Sequence, residues 1–128
     1  LNYSLEKGMR NDEGKAYAAL GHLYWAKEDY ANAIKKKKKN YAIQSELDNI
    51  EGVMSAHYDL GKTYVKLANY RLALEHFHQG LPLAKKIELS DWILSFYEIL
   101  SETYSTVEDF RKAYAYKDSA YTLNDSLS

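Results

Sequence analysis

"YAALGHLYWAKEDYANAI", residues Tyr17 to Ile34, returns twice further along the chain, as "HYDLGKTYVKLANYRLAL" from His57 and "YEILSETYSTVEDFRKAY" from Tyr97. The three segments align without a gap. Leu20, Leu60 and Leu100 share one column, and Tyr24, Tyr64 and Tyr104 a second. Tyr30, Tyr70 and Phe110 share a third, Ala33, Ala73 and Ala113 a fourth, and every set is spaced by 40 residues. A fixed period of this length marks a chain made of stacked copies of one supersecondary unit.

Inside each copy the apolar spacing is helical. Tyr17, Leu20 and Tyr24 stand at i, i+3 and i+7, on one helix face. Glu28-Asp29, Ala68-Asn69 and Glu108-Asp109 interrupt the pattern, with Asp29, Asn69 and Asp109 as N-caps of a following helix. That second helix carries Ala33, Ala73 or Ala113 where two helices would cross closely. The spacing therefore predicts an all-α chain of three antiparallel helix–turn–helix repeats. Its six helices are expected over 11–27, 30–46, 50–67, 70–87, 91–107 and 110–124. The repeats occupy 11–49, 50–89 and 90–128, with residues 1–10 read as the tail of an earlier repeat's second helix. The first residue is not methionine, so we expect a piece of a longer protein.

With these columns in place, the chain resembles the tetratricopeptide repeat (TPR) family, whose pattern runs aromatic, Leu-Gly, Tyr, then Ala and a further aromatic. "YAALGHLY" and "HYDLGKTY" carry it, and "YEILSETY" keeps it with Ser101 in the glycine column. A small residue there lets the paired helix approach closely. The 40-residue period exceeds the family's usual 34, implying longer helices, and the usual proline after the second helix is missing. The resemblance implies a right-handed α-solenoid. The long-helix variety is similar to arrays of Bacteroidetes-type signalling regulators, and "AYKDSAYTLNDSL" is similar to their last repeat.

Composition excludes several other classes. At 46% hydrophobic and 27% charged residues, the 128-residue chain suits one globular domain. It has no cysteine, hence no disulfide or thiolate metal site, and no apolar run approaches the roughly 18 residues of a membrane span. No signal-peptide core precedes the repeats, and the compartment, cytoplasmic or periplasmic, stays open. A formal net charge of −1 lacks the footprint of a nucleic-acid binder. The charge is uneven, with 14 basic against 10 acidic residues in 1–87 and 3 against 8 in 88–128, so the front is +4 and the back −5.

The run Lys35 to Lys39 is the oddest local feature, because consecutive helical residues advance about 100° and five of them face every side. Lys37 shares its column with Phe77 and Lys117. It is expected to be half-buried, its stem along the neighbouring helix and its ammonium reaching outward to water. The other four are expected on a solvated convex surface, with polyanion binding as the weaker alternative. Pro82, inside the fourth helix, is expected to kink it, with Gly80 easing the bend. The tyrosines, thirteen in all, are read as mostly core.

No catalytic motif, phosphate loop or metal-ligand pattern occurs, so neither an enzyme nor a cofactor is expected. His76 and His78 fall about 200° apart on a helix and cannot chelate one ion from one face. The function then follows from the resemblance, which implies that the first helix of each unit lines a concave groove where a protein or peptide partner binds. On it the candidate positions are Ala18, His22 and Trp25, then Tyr58, Asp59, Lys62 and Lys66, then Glu98, Glu102 and Ser105. Trp25 and Tyr58 are the anchoring aromatics, Lys62 would meet a carboxylate, and Glu98 and Glu102 a basic group. Family members that clamp a chaperone's carboxylate tail use lysine and asparagine where this chain has Ala18, His22, Asp59 and Lys62, so that activity is not expected. The expectation is a sensory or scaffolding array of a larger bacterial signalling protein. A segment that only self-associates is the alternative, and this fragment itself makes no membrane contact.

Overall fold

The computed structural model describes residues 2–127, with side chains from residue 4; Leu1 and Ser128, which the expected domain limits include, lie outside it. Its elements are α1 (Asn2–Ala26), α2 (Tyr30–Glu46), α3 (Ile50–Lys66), α4 (Tyr70–Lys86), α5 (Ser90–Thr106) and α6 (Phe110–Leu127), with no strand among the described residues. Each helix packs on its neighbours in chain order, giving the pairs α1/α2, α3/α4 and α5/α6 stacked in sequence. Five of the six helices match the expected spans to within three residues. The difference is α1, which runs unbroken through residues 2–10, where the tail of a separate helix was expected. No proline interrupts "EKGMRNDEGK", and Gly8 and Gly14 do not stop a helix anchored downstream.

The five connections are one structure used five times. Glu28, Asp48, Ala68, Glu88 and Glu108, 20 residues apart, each take a left-handed backbone with φ between 53° and 64°. In each, the next residue's N–H bonds the carbonyl five residues back, as Asp29 to Tyr24 and Asn69 to Tyr64 do at 2.9 Å. The left-handed residue's own N–H bonds the carbonyl three back, closing the helix end in a Schellman arrangement. None of the five is glycine, so each turn carries about 1 kcal/mol of strain that these bonds offset. Asp29, Asn69 and Asp109 then cap the next helix by accepting from the N–H of Asn32, Leu72 and Lys112, as the sequence predicts. Asn49 does the same for Gly52 at the start of α3.

The core runs along the stack through Met54, Leu60, Phe77, Phe96 and Leu100, all at most 1% exposed. The small-residue column governs how closely the pairs approach. A Cβ on Gly61 would overlap the Phe77 ring, and one on Gly21 would overlap the Lys37 stem. In the third repeat Ser101 instead donates its hydroxyl to the Ala113 carbonyl at 2.8 Å. Fully burying Phe77 is worth about 2 kcal/mol, and only an absent Cβ makes room for it. Pro82 is exposed within a helix that continues to Lys86, and Gly80 serves packing, its missing side chain giving space to the Phe96 ring.

Two expectations need correction. The tyrosines are mostly half-buried: Tyr64 and Tyr104 are buried, while Tyr114 and Tyr121 are 77% and 76% exposed on α6. Both exposed rings lie on the last helix, where the described chain supplies no further helix to cover them. Lys37 is not a snorkelling lysine. Only 5% of it is exposed, and Nζ donates to Thr63 Oγ1 at 3.0 Å, whereas Lys117 in the same column is solvent-exposed.

The glycine column gives a direct test. Gly61→Ala should lose about 2 kcal/mol in urea unfolding because the Phe77 ring cannot retreat. Gly8→Ala, at an open helix surface with nothing within 4 Å, should gain about 0.5–1 kcal/mol.

Candidate functional site

The first helices α1, α3 and α5 lie side by side, and most of the expected groove residues meet across them. Trp25 of α1 is the hub. The ammonium groups of Lys62 and Lys66 on α3 lie 5.5 and 5.6 Å from its ring centroid, and that of Lys37 on α2 lies 4.8 Å away. Lys62 also stands 5.5 Å from the Tyr58 ring, so it bridges the two aromatics proposed as anchors. Tyr58 packs edge-on against Trp92 and Phe96 of α5 at 5.4 and 5.2 Å. His22 Nε2 of α1 stands 3.9 Å from Asp59 Oδ2 of α3. Ala18 lines a depression of about 460 Å³ with Lys15, Ser55 and Trp92. Glu98, Glu102 and Ser105 remain exposed on α5.

Electrostatics divides this face. Burial pushes the Lys37 ammonium down; Asp59 partly restores it and Lys62 lowers it further. Burial pushes the Tyr58 hydroxyl up, helped by the carboxylates of Glu102, Asp59 and Glu98. Tyr58 thus separates a cationic end around Trp25 from an anionic end on α5.

Sequence reasoning missed two members. Lys37 was expected to send its ammonium out to water, yet it reaches between α1 and α3 to Trp25 and Thr63. Trp92 shares its column with Asp12 and Gly52, so the repeat alignment holds no aromatic signal there. The rest of the lysine run does not form one patch. Lys36 and Lys39 lie over Tyr17 at 5.9 and 5.1 Å, and Lys38 over Tyr64 at 6.0 Å. Among the described residues no group of three or more histidine or acidic side chains could hold a metal ion, and no helix is long and apolar enough to cross a membrane.

Residues 12–86, more than half of the chain, match the tetratricopeptide repeat family model. The chain belongs to the TPR family. Among solved structures, the TPR protein superposes on the TPR domain of Arabidopsis FLU with a TM-score of 0.85 at 17% identity, covering 91% of this chain and 98% of that one. It also superposes on BtubC from P. vanneervenii (0.83, 18% identity, 90% of this chain, 47% of that). A third match is aspartyl phosphate phosphatase F from Bacillus subtilis (0.84, 14% identity, 91% of this chain, 31% of that). At these identities the likeness is one of fold. The TPR chain spans less than half of the latter two proteins. The fold is that of a protein-interaction or scaffold module, a class generally without catalysis.

Between α3 and α4 lies a histidine pair, His57 buried and His76 half-buried. His57 Nδ1 and His76 Nδ1 are 3.1 Å apart, so one donates and the other accepts. Tyr41 of α2 packs on His57, and Tyr64 of α3 stacks on His76. Burial, with His76 adding to it, lowers His57 to about 4; burial also lowers His76, which Glu75 partly offsets and Lys38 reinforces.

Two measurements follow from these groups. The unfolded His57 imidazole protonates near pH 6.5 and the folded one near 4, so the unfolded chain binds the extra proton in between. Stability should therefore fall by about 2 kcal/mol from pH 7 to pH 5 and stay level above pH 7, and His57→Asn should flatten that dependence in thermal unfolding. Lys37→Met should raise stability by about 1 kcal/mol, read as a higher urea midpoint at unchanged slope, because a buried cation is replaced by an apolar chain of similar length. Thr63 keeps its own bond to the Asp59 carbonyl in that variant, so no polar group is orphaned.

Proposed function

We propose that this TPR chain is a non-catalytic module that takes a peptide or protein segment along the groove lined by α1, α3 and α5. The observation that carries the reading is the bridging of Trp25 and Tyr58 by Lys62: two large aromatics and a cation from two repeats share one half-buried surface. Large aromatics dominate interface energetics, and rigid helices hold these in place. His22, Asp59, Lys66, Glu98 and Glu102 then serve as the polar rim. The larger setting is a sensory or scaffolding array of a bacterial signalling protein, in which a bound partner shifts the curvature of the stack. The 40-residue repeat supports that setting, as does the occurrence of the same fold inside a longer Bacillus subtilis phosphatase.

Self-association is the second reading. It is favoured by the exposed Leu20 and Leu23 on α1 and by Phe110, Tyr114 and Tyr121 on α6, at opposite ends of the stack. Affinity capture of partners from the source cells, beside a Trp25→Ala/Lys62→Glu variant of unchanged helicity, separates the two. Groove recognition predicts partners that the variant loses. Equal capture by both forms, with mass rising with concentration in light scattering, would instead select self-association.

A further inference from the structure

The positive end of the groove is overdetermined. Three ammonium groups from two helices converge within 6 Å of one indole centroid, yet the nearby compensating carboxylate is Asp59, whose other neighbour is His22. Lys37 is also fixed, since its stem is packed against the open side of Gly21 and its ammonium is bonded to Thr63. A buried, immobile cation beneath two adjustable ones is poor packing for the free protein, which apolar residues would fill better. It suits the arrival of an anion, because Lys37 is already in place and desolvated, with half-buried Lys62 and exposed Lys66 beside it. The surface reverses sign past Tyr58, where Glu98 and Glu102 stand exposed.

Resting on the groove reading above, we infer that the partner is an acidic peptide segment, which seats an aspartate or glutamate side chain against Trp25 between Lys37, Lys62 and Lys66. A residue further along the same segment, basic in character, meets Glu98 and Glu102, so the peptide is read with one polarity. The polyanion alternative is disfavoured, because Lys36, Lys38 and Lys39 lie over Tyr17 and Tyr64 rather than joining this cluster.

Selection of a random dodecapeptide phage library on the immobilised protein tests this. Selected peptides should carry an Asp or Glu at a fixed offset from a Lys or Arg. By fluorescence anisotropy, replacing that acid with alanine should weaken binding roughly tenfold. Lys62→Glu/Lys66→Glu should weaken it at least as much and should prefer the same peptide with lysine in the acid's place. Lys37→Met should weaken binding while the fold grows more stable, which a merely structural role would not do. Peptides that need Trp25 and Tyr58 but have no acidic position would overturn the polarity and leave the groove standing. Peptides indifferent to Trp25→Ala and Tyr58→Ala, or no selection at all, would overturn both. Binding of an oligonucleotide that displaces nothing from Trp25 but is lost on substituting Lys35, Lys36 and Lys39 would restore the polyanion reading.

Discussion

The distance at which the two helices of each repeat can pack depends on one column of small residues, Gly21, Gly61 and Ser101. In the middle repeat the missing Cβ admits Phe77 edge to backbone, and from that contact the core extends through Tyr58 to Phe96 and Trp92 of the next pair. In the first repeat the same opening is filled by a lysine. In the third, the serine hydroxyl uses the space to bond the facing backbone, and Lys117 is left in solvent. One steric rule thus yields three different contents, and the differences between them hold most of what is individual about this protein.

Lys37 shows how such a constraint becomes chemistry. The Lys37 stem lies against the open side of Gly21, and the charge it carries must end where something can accept a hydrogen bond or a cation. Thr63 supplies a hydroxyl and Trp25 an aromatic face. The same side chain therefore belongs to the core by its stem and to the groove by its tip. It adds a fixed positive charge to a face whose other cations can move.

The turns illustrate what repetition can do without favourable local residues. A left-handed residue is disfavoured for glutamate, aspartate and alanine alike, yet five successive junctions adopt it because two backbone hydrogen bonds and packing on both sides leave no alternative. No glycine announces these turns. They were legible in the sequence only through the change of hydrophobic phase and the capping residues Asp29, Asn69 and Asp109. Asn49 was passed over, since its partner columns Leu89 and the 8–10 stretch hold no cap to align it with.

Sequence alone determined the all-α class, the three helix pairs, the positions of five helices and the close-approach column, because periodic burial and steric exclusion are written into residue spacing. It also singled out Trp25, Tyr58 and Lys62, but not that Lys62 would stand between the two rings. Only the tertiary structure decided that Lys37 turns inward, that Trp92 packs edge-on against Tyr58, that His57 and His76 pair, and that α1 is a single helix from Asn2 to Ala26. These depend on how three or more helices meet around one point, and a column-by-column alignment compares residues only with their counterparts in other repeats.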